Sequence, residues 1–262
     1  MKIAVCIKQV PDCGSVSLDP ETHTLVRASA GAVINPLDEF PLETALRIKE
    51  KNNADVVAIT MGPPRAEEVL ARAMAMGADK GILLSDRRFA GGDTWATSLV
   101  LAAAIETCGP FDLILCGKQA IDGDTAQVGP ETAAHLNWPQ AANVCNIEMP
   151  SEENPSSLTL TRLFEHGTDK LSIPLPAVIM PIKEACEPRF GTLEGRLDYY
   201  KKGVTKLNAD NLGIPEGASG LKGSPTRVVK TTTPEMNRKR VRLTGTPEEQ
   251  AHKLAEILKE KI

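Results

Sequence analysis

The segment CGKQAIDGDTAQVGPE, residues 116–131, decides the fold that this sequence predicts and carries its first candidate binding site. It follows an apolar run at residues 112–116 that predicts a buried strand, and it precedes residues 132–136, which predict a helix. Such a loop can hold phosphate, because the free N–H groups and the dipole of a helix start both favour an anion. The segment matches neither GxGxxG nor the P-loop, so an ordinary polar turn explains it equally well.

The glycines and carboxylates of this loop are its candidate ligand contacts. We expect Gly117, Gly123 and Gly129 to let the backbone approach a ligand closely, because glycine has no side chain. Asp122 and Asp124 could serve as general acids, but contacts to ribose or to the backbone suit their place in a phosphate-type loop better. The loop is therefore a candidate nucleotide site.

Composition excludes several classes of function. The 262 residues suffice for one large α/β domain or a domain with an appendage, and the net charge of −4 with 3% aromatic residues argues against a nucleic-acid partner. No apolar run is long enough to span a bilayer, so we expect no membrane insertion. Six cysteines without a CxxC pair indicate free thiols in a reducing, cytoplasmic compartment, and four scattered histidines indicate no metal site.

The first half of the chain alternates apolar runs with segments of helical spacing. The runs cover residues 3–7, 55–61, 80–84 and 111–116, and the helical segments cover 37–51, 65–76 and 93–107. This order predicts an α/β fold with Rossmann-like βαβ units and a mostly parallel sheet. Ligands of such sheets bind beyond the carboxyl ends of the strands, so the loops at Lys8, Met61, Asp86 and Gly117 should share one edge.

Residues 93–98, DTWATS, form a second candidate site on one of these loops. Asp93 or Thr94 would cap the helix that follows. Capping needs one hydroxyl, whereas the first turns also contain Thr97 and Ser98. The surplus predicts an anion or ribose site at this helix start.

The second half adds a β-hairpin and an arm. Alternation at residues 157–164 and 170–174 predicts a hairpin with its turn at 166–169, and residues 184–195 predict a loop that is either an anchor for a partner or a covered loop. Residues 203–235 predict an extended arm, and Thr246 caps a final amphipathic helix. We therefore expect a domain at 1–202 and, at 203–262, an arm that packs on a partner subunit or on the parent domain.

Motifs spread over essentially the whole chain resemble the β subunit of electron transfer flavoproteins. They are Lys8, Asn35-Pro36, KEK at 49–51, MGAD at 76–79, GKQAID at 117–122, WPQ at 138–140, EPR at 187–189 and Thr192-Leu193. The resemblance implies an αβ heterodimer whose α subunit carries the redox FAD, whereas the β subunit binds an adenine nucleotide, in the commonest members a structural AMP.

The resemblance also implies roles for individual residues. The nucleotide-contacting positions correspond to Cys6, Asn35, Asp38, Met61, Gly117, Lys118, Gln119, Ala120, Ile121, Asp122, Gly123, Asp124, Thr125, Ala126, Gln127 and Val128. The loop that docks partner dehydrogenases corresponds to residues 184–195, with Leu193 as its apolar anchor and Glu187, Arg189 and Phe190 beside it. The C-terminal arm would wrap the α subunit.

One departure separates two subclasses of the family. Members that bind AMP resemble DDDCNQTG after Ala-Ile, whereas this chain has DGDTAQVGPE at 122–131, with KQVPD at 8–12 and DTWAT at 93–97. This set resembles the electron-bifurcating members, whose β subunit holds a second FAD that NADH approaches. The resemblance then implies that Lys8, Asp93, Thr94 and Thr97 join the flavin site.

The function that follows from this resemblance belongs to the whole complex. Electrons from NADH would divide between the α-subunit FAD, which serves an acyl-CoA or hydroxyacid dehydrogenase, and a low-potential acceptor such as ferredoxin. The cofactor supplies the chemistry, so no catalytic side chain is expected. Two alternatives stay open: a subunit that binds AMP in a simple electron shuttle, and a nucleotide-binding scaffold without a redox role.

Overall fold

The computed structural model describes residues 1–12, 32–148, 155–229 and 240–260. The chain divides into two compact units, Met1–Arg227 and Val228–Ile262. Part of the expected arm, residues 230–239, and the end of the expected last helix, residues 261–262, lie outside the described residues. None of the described helices is both long enough and apolar enough to cross a bilayer.

A nine-stranded sheet forms the centre of the first unit. Its strands are β1 (Lys2–Cys6), β4 (Asp55–Met61), β5 (Lys80–Leu84), β6 (Leu113–Cys116), β7 (Gln140–Glu148), β8 (Ser157–Phe164), β9 (Gly167–Pro174), β10 (Ala177–Pro181) and β11 (Thr205–Leu207). They lie in the order β11-β5-β4-β1-β6-β10-β7-β8-β9. All neighbours from β11 to β7 pair in parallel, and the β7–β8 and β8–β9 pairs are antiparallel. The strands β2 (Gln9–Pro11) and β3 (Ala32–Ile34) pair separately.

Helices cover both faces of this sheet. The described helices are α1 (Glu39–Asn52), α2 (Glu67–Met76), α3 (Thr94–Cys108), α4 (Val128–Leu136), α5 (Leu193–Lys202), α6 (Gly220–Gly223) and α7 (Pro247–Lys259), with short 3-10 turns at Pro36–Asp38, Pro64–Ala66, Arg87–Phe89 and Lys183–Ala185. Ile3 and Val5 of β1 pack with α1 and α2, whereas Ala4 and Cys6 pack with α3 and α4. Burial on both faces explains why the parallel strands are continuous apolar runs.

The fold class expected from the sequence is confirmed, including the parallel βαβ units and the hairpin. The expected turn at residues 166–169 is wrong, because Phe164 pairs with Gly167 and the turn consists of Glu165 and His166. Several described elements had no counterpart among our expectations. They include β7, which joins the parallel strands to the hairpin, and α5, which begins at Leu193 inside the expected loop. Neither segment shows an unbroken alternating or helical spacing of apolar residues, which is the sequence signal for a strand or a helix.

Residues just after 202 belong to the first compact unit. Strand β11 extends the sheet by pairing with β5, and Ala209, Leu212 and Ile214 are buried in the core beside α3. The expected boundary between 202 and 203 therefore lies inside this unit. In the second unit, helix α7 begins as expected at the cap residue Thr246, whose hydroxyl and Glu249 form a capping box.

Candidate functional site

The structure brings several of the predicted nucleotide contacts together at the carboxyl edge of β1 and β6. Cys6 and Cys116 are paired at the ends of these adjacent strands, so the loops that follow them start side by side. The ammonium of Lys8 forms an ion pair with Asp122, with 2.6 Å between Nζ and Oδ1. This contact links the β1 loop to the loop between β6 and α4.

Internal hydrogen bonds shape the loop between β6 and α4. The Ala120 carbonyl accepts bonds from the backbone N–H groups of Gly123 (3.3 Å) and Asp124 (2.8 Å). The Gln119 amide also donates to the Asp124 carboxylate. Asp124 and Ala126 have φ angles of 56° and 57°, a left-handed conformation that is uncommon for residues other than glycine. Residues 121–127 are nevertheless exposed, so the loop presents a shaped backbone to solvent.

The three glycines of this segment serve different purposes. A Cβ on Gly117 would overlap the Asp38 carboxylate, and a Cβ on Gly129 would lie 2.9 Å from Met180 Sδ. Only at Gly123 is there nothing within 4 Å of the added atom. Close packing inside the protein thus accounts for Gly117 and Gly129, whereas Gly123 borders open space. Close approach of a ligand to the backbone at these glycines stays a prediction.

Asn35 is fully buried and bonds to this loop through its side chain. Its amide nitrogen donates to the Gln119 carbonyl (2.9 Å), and its Oδ1 accepts from the backbone N–H of Ile121 (3.2 Å). The Asn35 backbone N–H also donates to the Lys8 carbonyl (2.8 Å). Asn35 thus joins the loop after β6, through its side chain, to the loop after β1, through its backbone.

Asp38 lies in the same turn and is also buried. Its Oδ2 accepts a hydrogen bond from the backbone N–H of Lys8 (2.7 Å). Burial raises the pKa of Asp38 to about 7, and hydrogen bonds from Asn35 and from the Lys8 backbone offset that effect only in part. The carboxyl group therefore changes charge near neutral pH.

Of the two cysteines at this edge, Cys116 is held as a neutral thiol. A hydrogen bond with Cys6, followed by burial, raises the pKa of Cys116 well above its usual value. Cys6 and Cys116 are both buried, and the five described cysteines are free. The described residues also include no group of three histidine, cysteine or acidic side chains that could hold a metal ion.

The start of α3, the second predicted site, is joined to α4 through Glu131. Thr94 Oγ1 donates to Glu131 Oε1 (3.1 Å), and the buried Ser98 hydroxyl lies 3.4 Å from Glu131 Oε2. The sequence reasoning assigned no role to Glu131, although an acidic residue in the first turn of a helix is a recognisable signal. Thr97 is half-buried one turn into the same helix. The two predicted sites are therefore neighbours.

Asp93 caps α3 and holds a later segment of the chain. Its carboxylate accepts from the backbone N–H of Ala96 (3.0 Å) and from the hydroxyl (2.7 Å) and N–H (3.0 Å) of Thr226. The Asp93 N–H donates to the Ser224 hydroxyl (2.8 Å). The Asp93 carboxylate, which the family resemblance assigns to the flavin site, thus already makes structural hydrogen bonds.

Other predicted contacts lie around the same edge. Met61, at the end of β4, packs against the core beside α3, and Val128 begins α4. Lys118, Thr125 and Gln127 are polar and exposed to solvent, like the rest of the stretch 121–127. The rings of Trp95 and His135 contact each other in a tilted arrangement, with centroids 4.4 Å apart and 58° between the ring planes, a pair that sequence spacing does not reveal.

Ion pairs hold the predicted partner-binding loop against α1. The Arg189 guanidinium bonds to Glu43 (2.8 Å from Nε to Oε2) and also to Glu50. Burial opposes ionisation of Glu43, but hydrogen bonds from Arg189 and Arg47 outweigh it, so the pKa of Glu43 is lowered. Glu187 is exposed at the surface of this loop.

Two large apolar side chains project from this anchored loop. Phe190 is 90% exposed and Leu193 is 77% exposed. Leu193 is the first residue of α5, whose cap is the Thr192 hydroxyl, which accepts from the Gly195 N–H (3.0 Å). The Thr192 N–H in turn donates to the Ala75 carbonyl at the end of α2 (2.7 Å). The exposed pair is therefore presented by a rigid support.

Comparison with known proteins identifies the class to which this fold and site belong. The family model described as "Electron transfer flavoprotein domain" matches residues 22–212. A protein of Thermoanaerobacterium thermosaccharolyticum named "Electron transfer flavoprotein subunit beta" is 44% identical over 98% of this chain and 98% of its own length. The chain belongs to the electron transfer flavoprotein family, as a relative of its β subunits.

Two further relatives carry names that describe complexes. "Caffeyl-CoA reductase-Etf complex subunit CarD" of Acetobacterium woodii is 41% identical over 100% of this chain and 99% of its own length. "Acryloyl-CoA reductase electron transfer subunit gamma" of Anaerotignum propionicum is 42% identical over the same shares of the two chains. The family resemblance expected from the sequence is thereby confirmed.

Proposed function

We propose that this chain is the β subunit of a heterodimeric electron transfer flavoprotein that binds FAD and receives electrons from NADH for electron bifurcation. The electrons would pass to a dehydrogenase and to a low-potential acceptor such as ferredoxin. One observation carries the proposal: Glu131 of α4 accepts a hydrogen bond from Thr94 of α3. A ligand longer than AMP could therefore contact both predicted sites at one edge of the sheet.

The described residues fit FAD at this edge. The start of α4, which follows the exposed residues 121–127, suits a phosphate group, because the first N–H groups of a helix have no partner within the helix. Lys8, Thr94 and Thr97 would add polar contacts to the rest of the cofactor, and the open space at Gly123 leaves room for it. Bound FAD would supply two-electron uptake and one-electron release, whereas this chain would bind and orient the cofactor.

Two kinds of partner follow from this proposal. The relatives named for caffeyl-CoA and acryloyl-CoA reductase complexes support an acyl-CoA dehydrogenase as the electron acceptor. Exposed Phe190 and Leu193 would contact that enzyme, and residues 228–262, with the amphipathic helix α7, would contact the α subunit. We also propose a cytoplasmic location, which suits the free thiols.

A specific observation favours AMP as the alternative ligand. The Asp93 carboxylate is used by Ala96 and Thr226, so the α3 start offers fewer free groups than its sequence suggests. A nucleotide confined to the 117–128 loop would need none of them. The chain would then belong to a simple electron shuttle.

The nucleotide content of the purified αβ complex tests these alternatives. Nucleotides are released with acid, and FAD and AMP are quantified per heterodimer. Two FAD and no AMP would support the proposal, whereas one FAD and one AMP would support the simple shuttle. An intact complex that contains neither nucleotide would contradict both of these functions and support a scaffold role without redox chemistry.

A double variant tests the contribution of α3. Thr94→Ala with Thr97→Ala should reduce the FAD content of the β site and the rate of NADH oxidation by the complex. Thr107→Ala is the matched control, because Thr107 is exposed at the other end of α3 and its hydroxyl donates only to the Ala103 carbonyl. Unchanged FAD affinity and NADH oxidation in the double variant would remove α3 from the site.

A further inference from the structure

The turn formed by residues 35–38 lies behind the loop that would receive the nucleotide. We infer that Asn35 and Asp38 are positioning residues, which set the shape of the 117–123 loop from inside the protein without touching the nucleotide. This inference rests on the proposed function and assigns these two residues a different role from the direct contact that family resemblance suggests.

Asn35 and Asp38 are both buried. Asn35 has 0% and Asp38 has 6% of its surface exposed. A fully buried side chain cannot contact a ligand that binds to the exposed residues 121–127 unless the turn opens. Direct contact by Asn35 would therefore require a rearrangement that breaks its existing bonds.

Both ends of the Asn35 carboxamide bond to the same loop. A carboxamide offers both a donor and an acceptor, and Asn35 directs them to two atoms of one loop, the Gln119 carbonyl at 2.9 Å and the Ile121 N–H at 3.2 Å. These bonds bracket Ala120, whose carbonyl closes the tight turn to Asp124. Asn35 thus already uses a donor and its acceptor oxygen in the bonds that build the loop.

Asp38 acts on the same loop from the other side. Its Oδ2 fixes the Lys8 N–H at 2.7 Å, and the Lys8 ammonium reaches Asp122 in the loop at 2.6 Å. Its second oxygen lies against Gly117, where any Cβ would overlap it. The turn at residues 35–38 therefore determines where the 117–123 loop begins and where Asp122 is held.

Two substitutions at Asn35 separate the donor from the acceptor. Asn35→Asp keeps an acceptor for the Ile121 N–H but loses the donor to the Gln119 carbonyl, whereas Asn35→Ala loses both. In the full chain with its natural partner subunit, the Ile121 amide should exchange hydrogen about tenfold faster in the Asn35→Ala variant. The Asn35→Asp variant should change that amide less.

The matched control lowers stability elsewhere. Leu158→Ala opens a cavity in the hairpin, far along the sheet from β6, so it should lower the unfolding midpoint without changing exchange at Ile121. Should Asn35→Ala leave Ile121 exchange at the wild-type rate in a folded protein, the positioning role would be overturned.

Nucleotide affinity supplies the second measurement. FAD and AMP affinities are measured for the wild type and both Asn35 variants, and we expect losses that follow the loss of loop protection. Weaker binding with unchanged loop exchange would instead indicate direct contact and overturn the inference. If the wild-type complex binds neither nucleotide, the proposed function fails, and loop exchange alone still decides the positioning role.

Discussion

The Asp38 carboxylate fills the space in which a side chain at Gly117 would begin. The Leu37 carbonyl closes the same space, at 2.8 Å from a Cβ built on Gly117. Residue 117 is thus glycine because the wall behind the candidate site is closely packed. The contact also joins two segments that are far apart in the chain.

Substitution of this glycine should be costly. Gly117→Ala should lower the free energy of unfolding by about 1–3 kcal/mol, because Asp38 or the backbone of Leu37 must move. Gly123→Ala is the matched control in the same loop, since nothing lies within 4 Å of its added atom. Urea denaturation of both variants measures the difference, and equal stability of the two would contradict the packing argument.

The charge of Asp38 should make stability depend on pH. The folded protein keeps this proton up to about pH 7, whereas the unfolded chain loses it near 3.8. Between these values the folded state binds more protons, so the free energy of unfolding falls as pH rises, by up to about 4 kcal/mol from this group. The Asp38→Asn variant, which stays neutral, should lack that decrease.

Urea denaturation from about pH 5 to about pH 8 checks this prediction. The stability of the Asp38→Asn variant relative to the wild type should increase with pH over this range. The charged neighbours that affect Asp38 are Lys8, which favours its ionisation, and Asp122, which opposes it. A difference that stays constant with pH would show that Asp38 is already ionised in the folded protein.

The ion pairs of Arg189 should stabilise the loop that is predicted to bind a partner. Arg189→Met leaves the buried Glu43 carboxylate with Arg47 as its remaining cation, so we expect a loss of about 1–3 kcal/mol. Lys183→Met is the matched control, because Lys183 is exposed and lies 3.9 Å from Glu184. Thermal unfolding measures both. A loss no greater than that of the control would contradict an anchoring role.

Phe190 and Leu193 should affect partner recognition without affecting stability. Because both side chains are mostly exposed, Phe190→Ala and Leu193→Ala should change the free energy of unfolding by less than about 0.5 kcal/mol. Electron transfer to the dehydrogenase should slow about tenfold in each, as expected for exposed apolar anchors. Phe164→Ala, in the hairpin, is the control; an equal effect there would argue against a specific docking site.

Local patterns in the sequence predicted much of the fold. Continuous apolar runs predicted the strands β1, β4, β5 and β6, because a parallel sheet covered on both faces leaves no polar side. The cap at Asp93 and the capping box at Thr246 also follow from residues a few positions apart. These signals are local, since their interacting groups are close in the chain.

Other features became visible only in the folded chain. The pairing of Arg189 with Glu43 joins residues separated by 146 positions, and the bond from Asn35 to Gln119 spans 84. No spacing rule reports such contacts, because the sheet order and the packing of α1 create them. The extension of the first unit beyond residue 202, to β11 and on to Arg227, was not predictable from the sequence for the same reason.

The sequence by itself determined the α/β class, the position of the loop between β6 and α4, and the family, because periodicity and motifs are properties of the local chain. Only the tertiary structure decided that Gly117 accommodates Asp38, that Asn35 is buried and bonded to the loop, and that Glu131 joins two predicted sites. Burial and hydrogen-bond partners depend on which distant segments pack together, and that choice is made by the whole fold.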